Sequence, residues 1–200
     1  MAWYSFLAIT LGYLIGSFPS TLIIGRLVGR TDMRTEGDGK ISAAAVYRKM
    51  GHIPYAIVVL VDIGKGALAI FAAKALTSYM VIILVAGFFA VVGHCWSVFM
   101  KFQGGLGATV MCGVLGATVF WPLVIGLAVG IVFLLITHKS GPGSGVVIAV
   151  ITIALLVQRL LLHQDQEQPW YIVLYPLILI SLMVLKHLQA RKAMSNSKSG

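Results

Sequence analysis

Seven runs of apolar residues follow one another along a 200-residue chain, at about 3–25, 54–76, 79–99, 108–120, 121–137, 145–163 and 170–186, with little polar sequence between them. A hydrocarbon core about 30 Å thick takes roughly 20 apolar residues per helix, so the runs have the length of membrane crossings. With 59% of the residues hydrophobic and 10% charged, no soluble domain can hide that much apolar surface. The expected fold is an all-α integral membrane protein, with one transmembrane domain over residues 1–190 and a short polar tail at 191–200. The first run is too long for a signal-peptide core and leads into basic residues rather than a small-residue cleavage site, so it is expected to be retained. The run at 108–120 is short and glycine-rich, and Trp121-Pro122 is the only punctuation before the next, which leaves six or five crossings open.

Charge placement sets the orientation. The formal net charge is +9, and of fifteen Lys and Arg residues six lie in 26–53, one each at Lys101 and Lys139, and four from Lys186 onward. With seven crossings these segments share one side, opposite Leu76 to Tyr79, the Phe120-Trp121 turn and the acidic stretch His163 to Pro169. The positive-inside rule then puts the N-terminus outside and the C-terminus in the cytoplasm. Basic residues so placed report membrane orientation and anionic ligands, not nucleic acid. Of the remaining three, Lys74 and Arg159 lie near span ends and can snorkel to the interface. Lys65 lies mid-run, three residues after Asp62 and on the same helix face, where each charge alone would cost about 3 kcal/mol. The two are expected to face the protein interior, either as a structural ion pair or as part of a polar site beneath the cytoplasmic loops.

Few residues offer covalent or metal chemistry. Cys95 and Cys112 match neither a disulfide framework nor a zinc spacing, the five histidines show no metal-binding pattern, and no Ser-His-Asp order is present. No metal, cofactor or covalent nucleophile is therefore expected. Two segments suit phosphate. Gly37-Asp-Gly39 permits a turn with exposed N–H groups ahead of a short helix at 41–50 that carries Arg48. Gly104-Gly105-Leu-Gly107 opens into an apolar helix whose N-terminus favours anions, although close packing alone also accounts for such glycines. The lysine of a nucleotide-binding P-loop is missing, so ATP is not indicated. Gly12-x-x-x-Gly16 and Gly126-x-x-x-Gly130 read as helix-packing motifs, and His94 and His187 as helix caps.

Taken in order, these elements resemble the bacterial acyl-phosphate:glycerol-3-phosphate acyltransferases, the PlsY family, along essentially the whole chain. Tyr13-Leu-Ile-Gly-Ser17 is similar to the family's Y-L-L-G-S, and Asp32 and Arg34 to its D-x-R pair. Gly37 to Arg48 aligns without a gap with G-S-G-N-x-G-A-T-N-x-x-R, Asp62-Ile-Gly-Lys-Gly66 with D-x-x-K-G, and Gly93-His94 with G-H. Val98 to Gly107 resembles P-V-F-x-x-F-K-G-G-K-G, and Lys186-His187 stands where the family has R-H. The chain departs from the pattern at Asp38, Lys40, Ala44, Ala45, Gln103, Leu106, Gln189 and Ala190.

The resemblance implies seven helices, N-out and C-in, in a bacterial plasma membrane. It implies acyl transfer from an acyl phosphate to glycerol 3-phosphate among membrane lipids, giving 1-acyl-glycerol 3-phosphate for phospholipid synthesis. Arg48, His187 and Asp38 then fall to the chemistry, and Gly37, Gly39, Lys40, Lys101, Gly104, Gly105, Gly107 and His94 to substrate binding. The substituted motifs keep a second reading open, a family member that has lost catalysis but binds lipid or glycerol phosphate; the charges at Asp62 and Lys65 leave room for a third, a small transporter.

Overall fold

The computed structural model describes residues 2–29, 43–137, 140–160 and 169–198, and these contain helices and turns but no strand. The helices are α1 (Ala2–Ser17), α2 (Ser20–Gly29), α3 (Ala43–Met50), α4 (His52–Leu76), α5 (Met80–Cys95), α6 (Ala108–Thr118), α7 (Phe120–Thr137), α8 (Ser140–Leu160) and α9 (Tyr171–Lys198), with a 3-10 turn at Val98–Met100. Among the described residues, five stretches are long and apolar enough to cross a membrane: Trp3–Gly29, His52–Leu76, Met80–Met100, Phe120–Thr137 and Tyr171–Ala190. Two further apolar stretches, Ala108–Thr118 (α6) and Gly145–Leu160 within α8, are shorter. Large side chains such as Leu60, Phe71, Leu135 and Ile136 are left exposed, as an apolar solvent permits. The polar end of the chain continues α9 as far as Lys198.

The first apolar run is two helices, because Pro19 has no N–H to give the Ile15 carbonyl and disfavours helical geometry at Phe18. The Phe18 N–H takes that carbonyl at 3.2 Å, and the chain resumes as α2 with Ile23 N–H on the Pro19 carbonyl at 3.1 Å. A second sharp corner joins α3 to α4 at Gly51, whose φ of +84° suits only glycine.

Met1–Val114 and Leu182–Gly200 form one compact unit and Leu115–Ser181 another. In the first unit, helices meet through small residues. Side chains at Gly12 and Gly16 of α1 would collide with the backbone of Ala86 and Ala90 in α5, and one at Gly93 with that of Tyr13 and Ser17. A reciprocal pair joins α4 to α6, with Gly66 against Val110 and Val114 and Gly113 against Ile63 and Ala67. Lipid offers no hydrophobic drive to bring helices together, so contact must come from backbones approaching closely, which glycine allows. Leu22, Ile24, Val46, Val58 and Met100 form a buried cluster that fixes α2, α3 and α4 to the turn after α5. In the second unit Gly126 of α7 lies against Val147 and Ile151 of α8, and Pro122 sits in the first turn of α7, where its missing N–H costs nothing.

Candidate functional site

The polar centre of the first unit is Asp62, on α4 and only 1% exposed. Its Oδ1 lies 2.9 Å from Lys65 Nζ and accepts the Ser20 hydroxyl at 2.6 Å. Its Oδ2 accepts the Thr109 hydroxyl at 3.0 Å. Lys65, itself 6% exposed, donates a further hydrogen bond to the Phe18 carbonyl at 3.0 Å. The break at Phe18-Pro19 supplies two partners to this region: a carbonyl no longer needed by α1, and a serine at the start of α2. The Ser17 carbonyl is used in the same way, accepting the Ser97 hydroxyl at 2.6 Å. Asp62 thus gathers α2, α4 and α6, and a buried charge with this many partners is stable where an isolated one is not.

His94, in the last turn of α5, points its Nδ1 toward the same carboxylate, 3.8 Å from Oδ1. It does not cap its helix, whose end is closed by the Trp96 N–H on the Val92 carbonyl at 2.8 Å. Its Nδ1 and the Ser17 hydroxyl are buried polar atoms with no hydrogen-bond partner among the described residues. No group of His, Cys, Asp and Glu among those residues is arranged to hold a metal ion.

The glycine loop lies across the end of α5. A side chain at Gly104 would strike the His94 and Cys95 carbonyls, and one at Gly105 would strike the His94 ring. Gly107 has φ +87° and sits against Cys95 and Val91. Packing therefore explains all three glycines, and the same packing sets the N-terminus of α6 beside the loop. Ahead of them Lys101 and Phe102 both adopt left-handed backbone, at φ 52° and 63°. That conformation costs on the order of 1 kcal/mol per non-glycine residue, and it is offset by the Ser97 carbonyl, which accepts Met100 N–H at 3.1 Å and Phe102 N–H at 2.8 Å. Lys101 is left exposed beside buried Met100.

Arg48 is exposed on α3, two residues after Val46, which shares the buried cluster with Met100. Arg48 and Lys101 are thus carried by segments packed on one core. Lys186 of α9 stacks over the Trp96 ring, 4.9 Å from its centroid, and the Trp96 carbonyl accepts the Tyr13 hydroxyl at 2.9 Å. His187, next along α9, is exposed and lies within the helix, so it does not cap it. Gly37, Asp38, Gly39 and Lys40 lie outside the described residues. Asp62, Lys65, His94, Gly104, Gly105 and Gly107 come together around one polar centre. Sequence reasoning missed Ser20, Thr109 and Ser97.

Comparison with known proteins gives a concordant result. A family model described as glycerol-3-phosphate acyltransferase matches residues 6–197. A glycerol-3-phosphate acyltransferase of Shouchella clausii is 31% identical over 169 residues, 84% of this chain and 82% of the relative. One from Caulobacter vibrioides is 38% identical over 165 residues, 82% of this chain and 73% of the relative. Glycerol-3-phosphate acyltransferase 2 of Moorella thermoacetica is 42% identical over 127 residues, 62% of this chain, and the match spans 65% of that relative. Among solved structures, the crystal structure of PlsY (YgiH), an integral membrane glycerol 3-phosphate acyltransferase, in its glycerol 3-phosphate form superposes with a TM-score of 0.77 at 22% identity. That superposition covers 96% of this chain and 92% of the other, so the two share a fold.

Proposed function

Because the chain belongs to the glycerol-3-phosphate acyltransferase family, we propose that it moves an acyl group from an acyl phosphate to the 1-hydroxyl of sn-glycerol 3-phosphate. The observation that carries this reading is a family match over residues 6–197 that takes in Arg48, the Asp62–Lys65 pair and the glycine loop together. An acyl phosphate is a mixed anhydride, already activated, so no covalent enzyme intermediate is needed. The substrate hydroxyl oxygen adds to the acyl carbon and the bond from that carbon to the phosphate oxygen breaks. Inorganic phosphate leaves with the electron pair, and the hydroxyl proton passes to a nearby base or to the departing phosphate. The protein's task is to hold two phosphate-bearing substrates together against their repulsion and to stabilise the oxyanion.

Arg48, Lys40 and Lys101 contact phosphate oxygens in this proposal, with the turn at Gly37 and Gly39 adding backbone N–H groups. Gly104, Gly105 and Gly107 hold glycerol phosphate at the start of α6, and His187 orients a substrate. His94, beneath Gly105, acts on the substrate through the loop. Asp38 either accepts the hydroxyl proton or is neutralised by Lys40 or Arg48. The test is purified protein in detergent or lipid, given palmitoyl phosphate and glycerol 3-phosphate. Phosphate release should require both substrates, and palmitoyl-CoA should not replace the acyl phosphate. Glycerol 3-phosphate binding without release would favour the reading that catalysis has been lost, to which Gln103 and Leu106, in place of the family's lysines, point.

The proposed setting is the plasma membrane of a bacterium, crossed seven times, with the segment 26–53 and the C-terminus in the cytoplasm. Cys95 is buried and Cys112 half-buried, so a cysteine introduced at an accessible position is readable over a low background. Glu36→Cys in intact cells should resist a membrane-impermeant maleimide and react only after permeabilisation. Labelling from outside would reverse the orientation.

A further inference from the structure

We infer that Thr109 is a positioning residue, whose hydroxyl, held by Asp62, sets the start of α6 and so the glycine loop at the place where glycerol 3-phosphate binds; this rests on the role proposed above for that loop. Thr109 is the second residue of α6, and the glycine loop ends two residues before it at Gly107. The N–H groups of a helix's first turn have no partner within the helix, so whatever fixes that turn also aims its donors.

The segment from Ser97 to Thr109 is tied down at three places. At its start the Ser97 hydroxyl donates to the Ser17 carbonyl at 2.6 Å. In its middle Met100 is buried in the cluster with Leu22 and Val46. At its end Thr109 donates to Asp62 Oδ2 at 3.0 Å. The first two ties act before the glycines; the third is a hydrogen bond to the first turn of the helix that follows them, ahead of the Gly66 and Gly113 contacts that pack the rest of α6 on α4. Asp62 is a rigid support for it, because Lys65 and Ser20 hold the other carboxylate oxygen at 2.9 and 2.6 Å. Valine has nearly the shape of threonine without the hydroxyl, so Thr109→Val removes the tie and leaves the packing.

The experiment compares the unaltered protein with Thr109→Val and Thr109→Ser in turnover and in direct binding of glycerol 3-phosphate by calorimetry. Thr109→Val should raise KM and the dissociation constant for glycerol 3-phosphate roughly tenfold, the size of one lost hydrogen bond to a charged group, with kcat within about twofold. Thr109→Ser, which keeps the hydroxyl, should restore both to within about threefold of the unaltered protein. A purely structural role would lower thermal stability in detergent without this separation of KM from kcat. Unchanged binding in Thr109→Val, or equal damage in Thr109→Ser, overturns the positioning role while leaving the acyltransferase reading intact. Unaltered protein that neither binds nor acylates glycerol 3-phosphate overturns both. Unaltered protein that binds but does not turn over overturns only the reaction, and the binding arm still decides the role of Thr109.

Discussion

Asp62→Ala is expected to yield no stable, monodisperse protein in detergent. Lys65 would stay where α4 holds it, 6% exposed, with only neutral partners, the Phe18 carbonyl at 3.0 Å and the Ser20 hydroxyl at 3.5 Å, while the hydroxyls of Ser20 and Thr109 lose their acceptor. Removing one member of a buried ion pair costs about 3–5 kcal/mol, because the survivor is an uncompensated charge. That is a large share of the 5–15 kcal/mol that holds a typical domain together. The double change Asp62→Leu with Lys65→Met removes both charges at similar volume and should recover most of the lost stability. Elution profile and thermal unfolding in detergent measure this. If Asp62→Ala elutes and melts like the unaltered protein, the pair does not hold these helices together.

Arg48→Lys is expected to weaken glycerol 3-phosphate binding and turnover by about thirty- to a hundredfold, or roughly 2–3 kcal/mol. A guanidinium offers a planar fork of donors that an ammonium cannot reproduce, and the difference is largest for phosphate oxygens in a partly dehydrated site. The fold should tolerate the change, since lysine keeps the charge and the helix is anchored two residues earlier by buried Val46. Arg34→Lys is the control: it carries the same change in the same loop, yet should lose far less. Equal, mild losses in both would mean that the basic residues of this loop serve orientation only, and the phosphate-binding role of Arg48 would have to be abandoned.

The apolar helices were legible in the sequence because long apolar runs have few other fates, although the first run, read as one helix, is broken in two at Pro19. Asp62 and Lys65 were legible as a pair because i, i+3 spacing puts them on one face and lipid punishes a lone charge. Their partners were not. Thr10, Thr137 and Thr152 each donate to the carbonyl four residues earlier, the usual fate of a hydroxyl in an apolar helix. Ser20 and Thr109 look the same in sequence, yet reach a carboxylate 42 and 47 residues away. Only the close approach of three helices distinguishes them, and no local pattern encodes that. The glycine loop was ambiguous for a related reason: the lack of a side chain that lets a backbone cradle an anion also lets it lie on the end of α5.

The break at Phe18-Pro19 bears on how the chain is made. Of the two carbonyls there, that of Phe18 accepts the local Ser20 N–H at 2.9 Å as well as Lys65, whereas that of Ser17 is met by a side chain 80 residues further on, Ser97. The first span therefore leaves the ribosome with a backbone acceptor, the Ser17 carbonyl, whose partner has yet to be made, and hydrocarbon contains no water to cover it. Until the turn after α5 has been synthesised, that kink is at ease only beside the insertion machinery or at the membrane surface. Biogenesis of this protein is thus a deferred closure, in which the segment made first is among the last to be completed.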